Sequence, residues 1–171
     1  MISLHPINYG RHRPKLNDWL KAEHVARWWG DPNERLKQFD QTSEACHRII
    51  ALDAVPVGYV RWEVVDEKAL AEVGLSDIPS GSIDMDVFIG DNTKCGKGIG
   101  PTALQLVFGH LSETTDAPLV GLCTLIESTQ AHRAFETAGC TRLTEFQDPK
   151  YGPCFVYVRD LKPRIDDGGA A

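Results

Sequence analysis

Apolar and polar residues alternate from Ile2 to Ile7 (ISLHPI), the pattern of a half-buried strand. The period then lengthens. Leu16, Trp19 and Leu20, and later Val25, Trp28 and Trp29, fall at helical spacings, which predicts one or two helices ended by Gly30 and Pro32. Alternation returns in ACHRIIALD and VPVGYVRWEVV, two strands around a short turn at Asp53–Pro56, a hairpin. The stretch Asp66–Ser80, with Gly74, Pro79 and six acidic or hydroxyl residues, reads as a loop.

A strand follows at Ser82–Ile89, then a helix from about Pro101 with Leu104, Val107, Phe108 and Leu111 along one side. Pro101 is tolerated because a first helical turn has no partner for its N–H. PLVGLCTLI (Pro118–Ile126) is a buried strand. Ser128 can cap a helix whose Ala131, Ala134, Phe135 and Ala138 form an apolar face, with Gly139 as its stop. TRLTEF and CFVYVRD pair as a hairpin around DPKYGP, and KPRIDDGGAA is a frayed tail. The expected fold is α/β: a mixed sheet without the doubly wound repeat, one domain over residues 1–161 and a flexible tail over 162–171.

Composition narrows the function. A chain of 171 residues buries roughly 70% of its unfolded surface and needs no staple. Its five cysteines are scattered, odd in number and without a C-x-x-C pair, which points to a reduced, cytoplasmic protein without structural zinc. No apolar run approaches the ~18 residues of a membrane span. The net charge of −6, with basic residues dispersed, lacks the footprint of a nucleic-acid binder and suits a cationic small molecule. The six histidines show no metal spacing and no nucleophile motif, so no metal site is expected.

The most informative stretch is SIDMDVFIGDNTKCGKGIGPTALQL, in which a strand delivers Gly96, Gly98 and Gly100 into a helix. Glycines at such a junction let backbone N–H groups approach a phosphate. A dinucleotide fold expects them after the first strand, with an acidic residue about 20 positions on. A Walker loop ends in G-K-[ST], whereas Gly96-Lys97 is followed by Gly98. What remains resembles the acetyl-CoA loop of the GNAT acyltransferases, [QR]-x-x-G-x-[GA], with Cys95 in the place of Gln or Arg.

Within that superfamily HVARWWG (His24–Gly30), VPVGYV (Val55–Val60), IDMDVFIGDNTKCGKGIG (Ile83–Gly100) and AHRAFETAGC (Ala131–Cys140) are similar to the aminoglycoside 6′-N-acetyltransferases and their environmental relatives. The resemblance implies the GNAT fold, about seven mostly antiparallel strands and about four helices. It implies acetyl-CoA as cosubstrate, held by Phe88, Ile89, Cys95, Gly96, Lys97, Gly98, Ile99, Gly100, Thr102, Ser128 and Phe135. Backbone N–H groups near Val87–Ile89 would polarise the thioester carbonyl where the strand splays from its neighbour. Asp86 matches the catalytic Asp of the family. Trp29, Asp84, Asp86 and Glu72 would contact the amine.

Each of these side chains also has a plain structural reading. Asp84 and Asp86 leave the same strand face, solvated or lining the acceptor pocket; in a buried pocket the Asp84 charge would raise the pKa of Asp86. Trp28 and Trp29 serve the core at least in part. Glu67, Glu72 and Asp77 read as solvated loop acids, or as holders of a polycation. Two departures from the family stand out: Phe135 replaces a Tyr that protonates the leaving thiolate, and Cys123 replaces a substrate-binding Asp. Cys95 and Cys123 read as space-fillers. The implied reaction is direct attack of a primary amine of a small cationic molecule, foremost an aminoglycoside 6′-amine, by a monomer or homodimer. The alternatives are another small amine (polyamine, siderophore precursor or amino sugar) and a CoA-binding sensor without catalysis.

Overall fold

A computed structural model describes residues 1–162; all but the first residue of the expected tail lies outside them. The elements run β1 (Ile2–Pro6), α1 (Tyr9–Lys21), α2 (Glu23–Trp29), α3 (Pro32–Asp40), β2 (His47–Leu52), β3 (Val55–Val64), α4 (Glu67–Glu72), β4 (Ile83–Ile89), α5 (Ile99–Thr114), β5 (Leu119–Leu125), α6 (Thr129–Thr137), β6 (Thr141–Asp148) and β7 (Gly152–Asp160). The strands form one sheet in the order β1-β2-β3-β4-β5-β7-β6. Every neighbouring pair is antiparallel except β4 and β5.

Three local expectations are corrected. The helical region before β2 holds three helices, because Pro32 does not end one: it opens α3 at a position that needs no donor, behind an Asp31 side chain that accepts from the Asn33 N–H. Asp66–Ser80 is not all loop, since Asp66 caps α4 and Leu70 packs with Leu119, Val156 and Val158. The helix after the glycines starts at Ile99, which leaves Pro101 inside the first turn, where it is tolerated.

The alternation of β4 assigns its two faces. Ile83 and Met85 face the main core with Leu104, Val107, Phe108 and Leu111 of α5. Phe88 faces a second core built from Leu16, Trp19, Leu20, Val25, Leu36 and Phe39 of α1–α3. At the end of the strand Gly90 is required, because a Cβ there would sit 2.1 Å from the Trp19 ring. Asp84 and Asp86 share the Phe88 face, so α1–α3 and the carboxylates lie on one side of the sheet and α5 on the other.

Candidate active site

β4 and β5 pair only through Ile83↔Val120 and Asp84↔Gly121; beyond that point β4 is joined to β3 alone and β5 to β7. The two strands part like a fork, and the β4 edge inside it has no strand partner. The ladder phase tells which groups that edge presents. The Val65 N–H donates to Ser82 O and the Gly90 N–H to Val57 O, so the even-numbered residues of β4 bond to β3. Val87 and Ile89 therefore turn their N–H groups into the fork. Phe88, also expected to line the cofactor, turns its N–H toward β3, and its ring packs edge-on against Trp29, centroids 4.9 Å apart.

The glycine loop stands at the open end of the fork. Gly96 and Gly98 have φ of +71° and +75°, a region that disfavours side chains, and nothing lies within 4 Å of where their Cβ atoms would be. Gly98 caps α5 without a side-chain bond, leaving the first N–H groups of a 16-residue helix to an external acceptor. Lys97 is exposed beside it, and the Thr102 hydroxyl folds back onto Gly98 O at 2.9 Å. The Cys95 sulfur contacts Ile89 O and Asp91 O at 4.0 and 3.9 Å, and burial raises its thiol pKa, which suits a packing group rather than a nucleophile. His24, given no role by its spacing, holds its Nε2 3.0 Å from Ile89 O and so ties α2 to the end of β4.

On the carboxylate face the cross-strand register builds a square. Arg61 of β3 stands opposite Asp86 of β4, and Glu63 opposite Asp84. Arg61 Nε and Nη2 reach Asp86 Oδ2 at 2.8 and 2.7 Å, and Nη2 lies 3.6 Å from Glu63. Burial works against the guanidinium charge, but Asp86, Glu63 and Asp84 outweigh it and hold its pKa above the usual value. Burial first, then Asp86 and Glu63, push the Asp84 carboxyl up to about 7. Asp84 is the carboxyl with Glu63 across the ladder, whereas Asp86 has Arg61 there. Arg61 and Glu63 are polar alternates of VPVGYVRWEVV that sequence reasoning passed over.

The remaining candidates scatter around this square. Trp29 is half-buried, packed on Phe39 and Phe88 and stacked by Arg35, whose Nη2 donates to the Tyr151 hydroxyl at 2.6 Å. Cys123 keeps exposed surface; its thiol is pushed up by the protein around it and then by Asp84. Glu72 is exposed on α4, 3.9 Å from Lys68, and makes no contact with the square. Ser128 stands at the N-cap of α6 but its hydroxyl makes no capping bond, contrary to expectation; it is buried. Phe135 is buried in the main core, edge-on to Tyr157 at 5.5 Å. A cavity of about 700 Å³ lies apart from the square, between Lys15, Trp19, His24, Arg27 and Asn92. Among the described residues no group of three or more His, Cys, Asp or Glu could hold a metal, and no helix is long and apolar enough to cross a membrane.

A forked sheet with a glycine-capped helix at its mouth is the architecture of an acyl-CoA-dependent transferase. Comparison supplies the family: the model for the acetyltransferase (GNAT) domain matches residues 9–148, and the chain belongs to that family. It is an acyltransferase, and acetyl-CoA is its cosubstrate. Among solved structures the chain is similar to aminoglycoside acetyltransferase AAC(6′)-Ib in complex with coenzyme A and kanamycin (19% identity, 94% of this chain and 95% of that one, TM-score 0.79). It is also similar to the aminoglycoside N(6′)-acetyltransferase of Legionella pneumophila (18% identity, 94% and 92% covered, TM-score 0.70). At that identity the likeness concerns the fold. No curated protein sequence matches significantly.

Proposed function

We propose that the chain acetylates a primary amine of a small cationic molecule by direct attack, an aminoglycoside 6′-amine being the favoured acceptor. The observation that carries this reading is the square beside the fork, in which Asp84, Asp86 and Glu63 outnumber the single cation Arg61. Such a face attracts an ammonium group and holds a base to deprotonate it. The solved relatives with kanamycin and coenzyme A support the choice of acceptor class.

The donor side fits the residues present: N–H groups of Val87 and Ile89 on a free edge, and an open cradle of glycines, two of them at positive φ. When bound, acetyl-CoA supplies the acetyl group, its C–S bond breaking as the amine N–C bond forms, with the electron pair leaving on sulfur. Asp86 accepts the proton of the acceptor ammonium, which frees the nitrogen lone pair. Val87 and Ile89 donate toward the developing oxyanion. Trp29 offers an apolar wall, and Asp84 a second carboxyl for a further ammonium.

The test is thiol release from acetyl-CoA with kanamycin, spermidine and glucosamine. Turnover with kanamycin is expected. Turnover with spermidine or glucosamine alone replaces the aminoglycoside by another small amine, and no release with any amine sinks the reading.

A further inference from the structure

We propose that Arg61 is a positioning residue that selects which oxygen of Asp86 acts as the base; this rests on the base role assigned above. Both contacting nitrogens, Nε and Nη2, bind the same oxygen, Oδ2, at 2.8 and 2.7 Å. A guanidinium usually spans both oxygens of a carboxylate. Here the fork is spent on one, and Oδ1 accepts no hydrogen bond from the described residues. Oδ1 is therefore the atom left to take a proton.

The guanidinium is itself fixed. Its Nη1 donates to Thr42 Oγ1 at 3.4 Å, Nη2 faces Glu63, and its Cζ lies 5.8 Å from the Phe39 ring centroid. The Arg61 side chain is 9% exposed against 30% for Asp86, so the anchor is buried and the anchored group reaches solvent. The charged and titratable groups facing Asp86 are Arg61, Glu63 and Tyr59 from β3, Asp84 from its own strand and Cys123 from β5. Arg61 is the one cation among them. It fixes the side chain that must meet the amine.

The experiment compares wild type, R61Q, R61K, D86N and R61Q/D86N, with acetyl-CoA and whichever of kanamycin, spermidine and glucosamine the wild type turns over fastest. R61Q is expected to lower kcat ~10-fold or more through misplacement of the base, with the KM for acetyl-CoA unchanged. The acid limb of its kcat/KM profile moves to higher pH, because loss of the neighbouring cation favours the protonated carboxyl. R61K keeps the charge, so its acid limb stays in place, but one ammonium cannot reproduce the two-nitrogen hold and kcat stays reduced. In the D86N background R61Q costs nothing further, and in thermal melts the two substitutions are less than additive. Additive losses in kcat, or an R61Q enzyme with wild-type rate and acid limb beside an impaired D86N, overturn the assignment of Arg61 alone. D86N at full turnover removes the base reading and the role of Arg61 with it. If R61Q does not fold, R61K carries the test through its reduced kcat and unmoved acid limb.

Discussion

The fork and the square occupy the same strand and are built from opposite materials. On its edge β4 offers backbone: the N–H groups of Val87 and Ile89, continued by the glycine loop and the start of α5. On its face it offers side chains: Asp84 and Asp86, completed by Arg61 and Glu63 from β3. A site made of backbone survives wide sequence change, because it asks only for a ladder that ends early and for residues without side chains. A site made of charges depends on which residues a neighbouring strand places opposite. The donor half is thus common to the fold and the acceptor half particular to this chain.

The sharpest way to break this division is Asp86→Asn. The exchange keeps size and much of the hydrogen bonding but removes the base, so kcat should fall ~10²-fold or more while calorimetric affinity for acetyl-CoA barely changes. Nearly full turnover with every amine the wild type accepts would shift the base to a water chain or to Asp84. Gly98→Val probes the other half. It forces a β-branched residue to φ +75° and fills the cradle, so acetyl-CoA binding should weaken ~10-fold or more, the strain alone being worth 1–2 kcal/mol. Unchanged affinity by calorimetry would reject the loop.

The two halves also differ in how far they can be read from sequence. The glycines announce the loop because glycine takes positive φ at no steric cost, and their place between a strand and a helix points to an anion. Helix α3 and the short α4 were hidden, the first because Pro32 signals an end as readily as a beginning, the second inside a polar stretch. Arg61 was hidden for a different reason. Its partnership with Asp86 follows from the register of β3 against β4, two strands separated by Val65–Ser82, and no local pattern fixes a register across such a gap. The raised pKa of Asp84 is hidden for the same reason, since that register is what sets Glu63 opposite it.

Asp84→Asn sharpens the acceptor half through stability. A carboxyl whose pKa is raised in the folded state, here to about 7, binds its proton more tightly folded than unfolded. Wild-type stability therefore declines as pH rises from the ordinary carboxylate range toward 7, and the neutral amide escapes the decline. The variant should melt at about the wild-type temperature in acid and roughly 2–4 °C higher at pH 8. His47 acts in the opposite sense. It is buried among Tyr9, Phe39 and Tyr59, and burial first, then Arg61 and Arg48, lower its pKa to about 4. Its contribution is present above its ordinary pKa and is lost as pH falls toward 4, so the melts are compared within each pH and not across the series. A difference in melting temperature that is constant with pH would say that Asp84 does not titrate as the square requires.

The smallest effect on turnover is expected at Phe135, where the sequence departs from the aminoglycoside enzymes it resembles. Phe135 is buried in the main core, edge-on to Tyr157. If this is the position of the general acid, the leaving thiolate takes its proton from water or from the ammonium of the product. Phe135→Tyr adds one hydroxyl to a packed ring. Left without a partner it costs about 1–3 kcal/mol of stability, read as a lower melting temperature, while the rate stays the same or rises. A collapse in turnover with an unchanged melt would show that another group is the acid and that the new hydroxyl obstructs it. That outcome would extend the particularity of this chain from the square to the fork, and the contrast between a generic donor half and a private acceptor half would no longer hold.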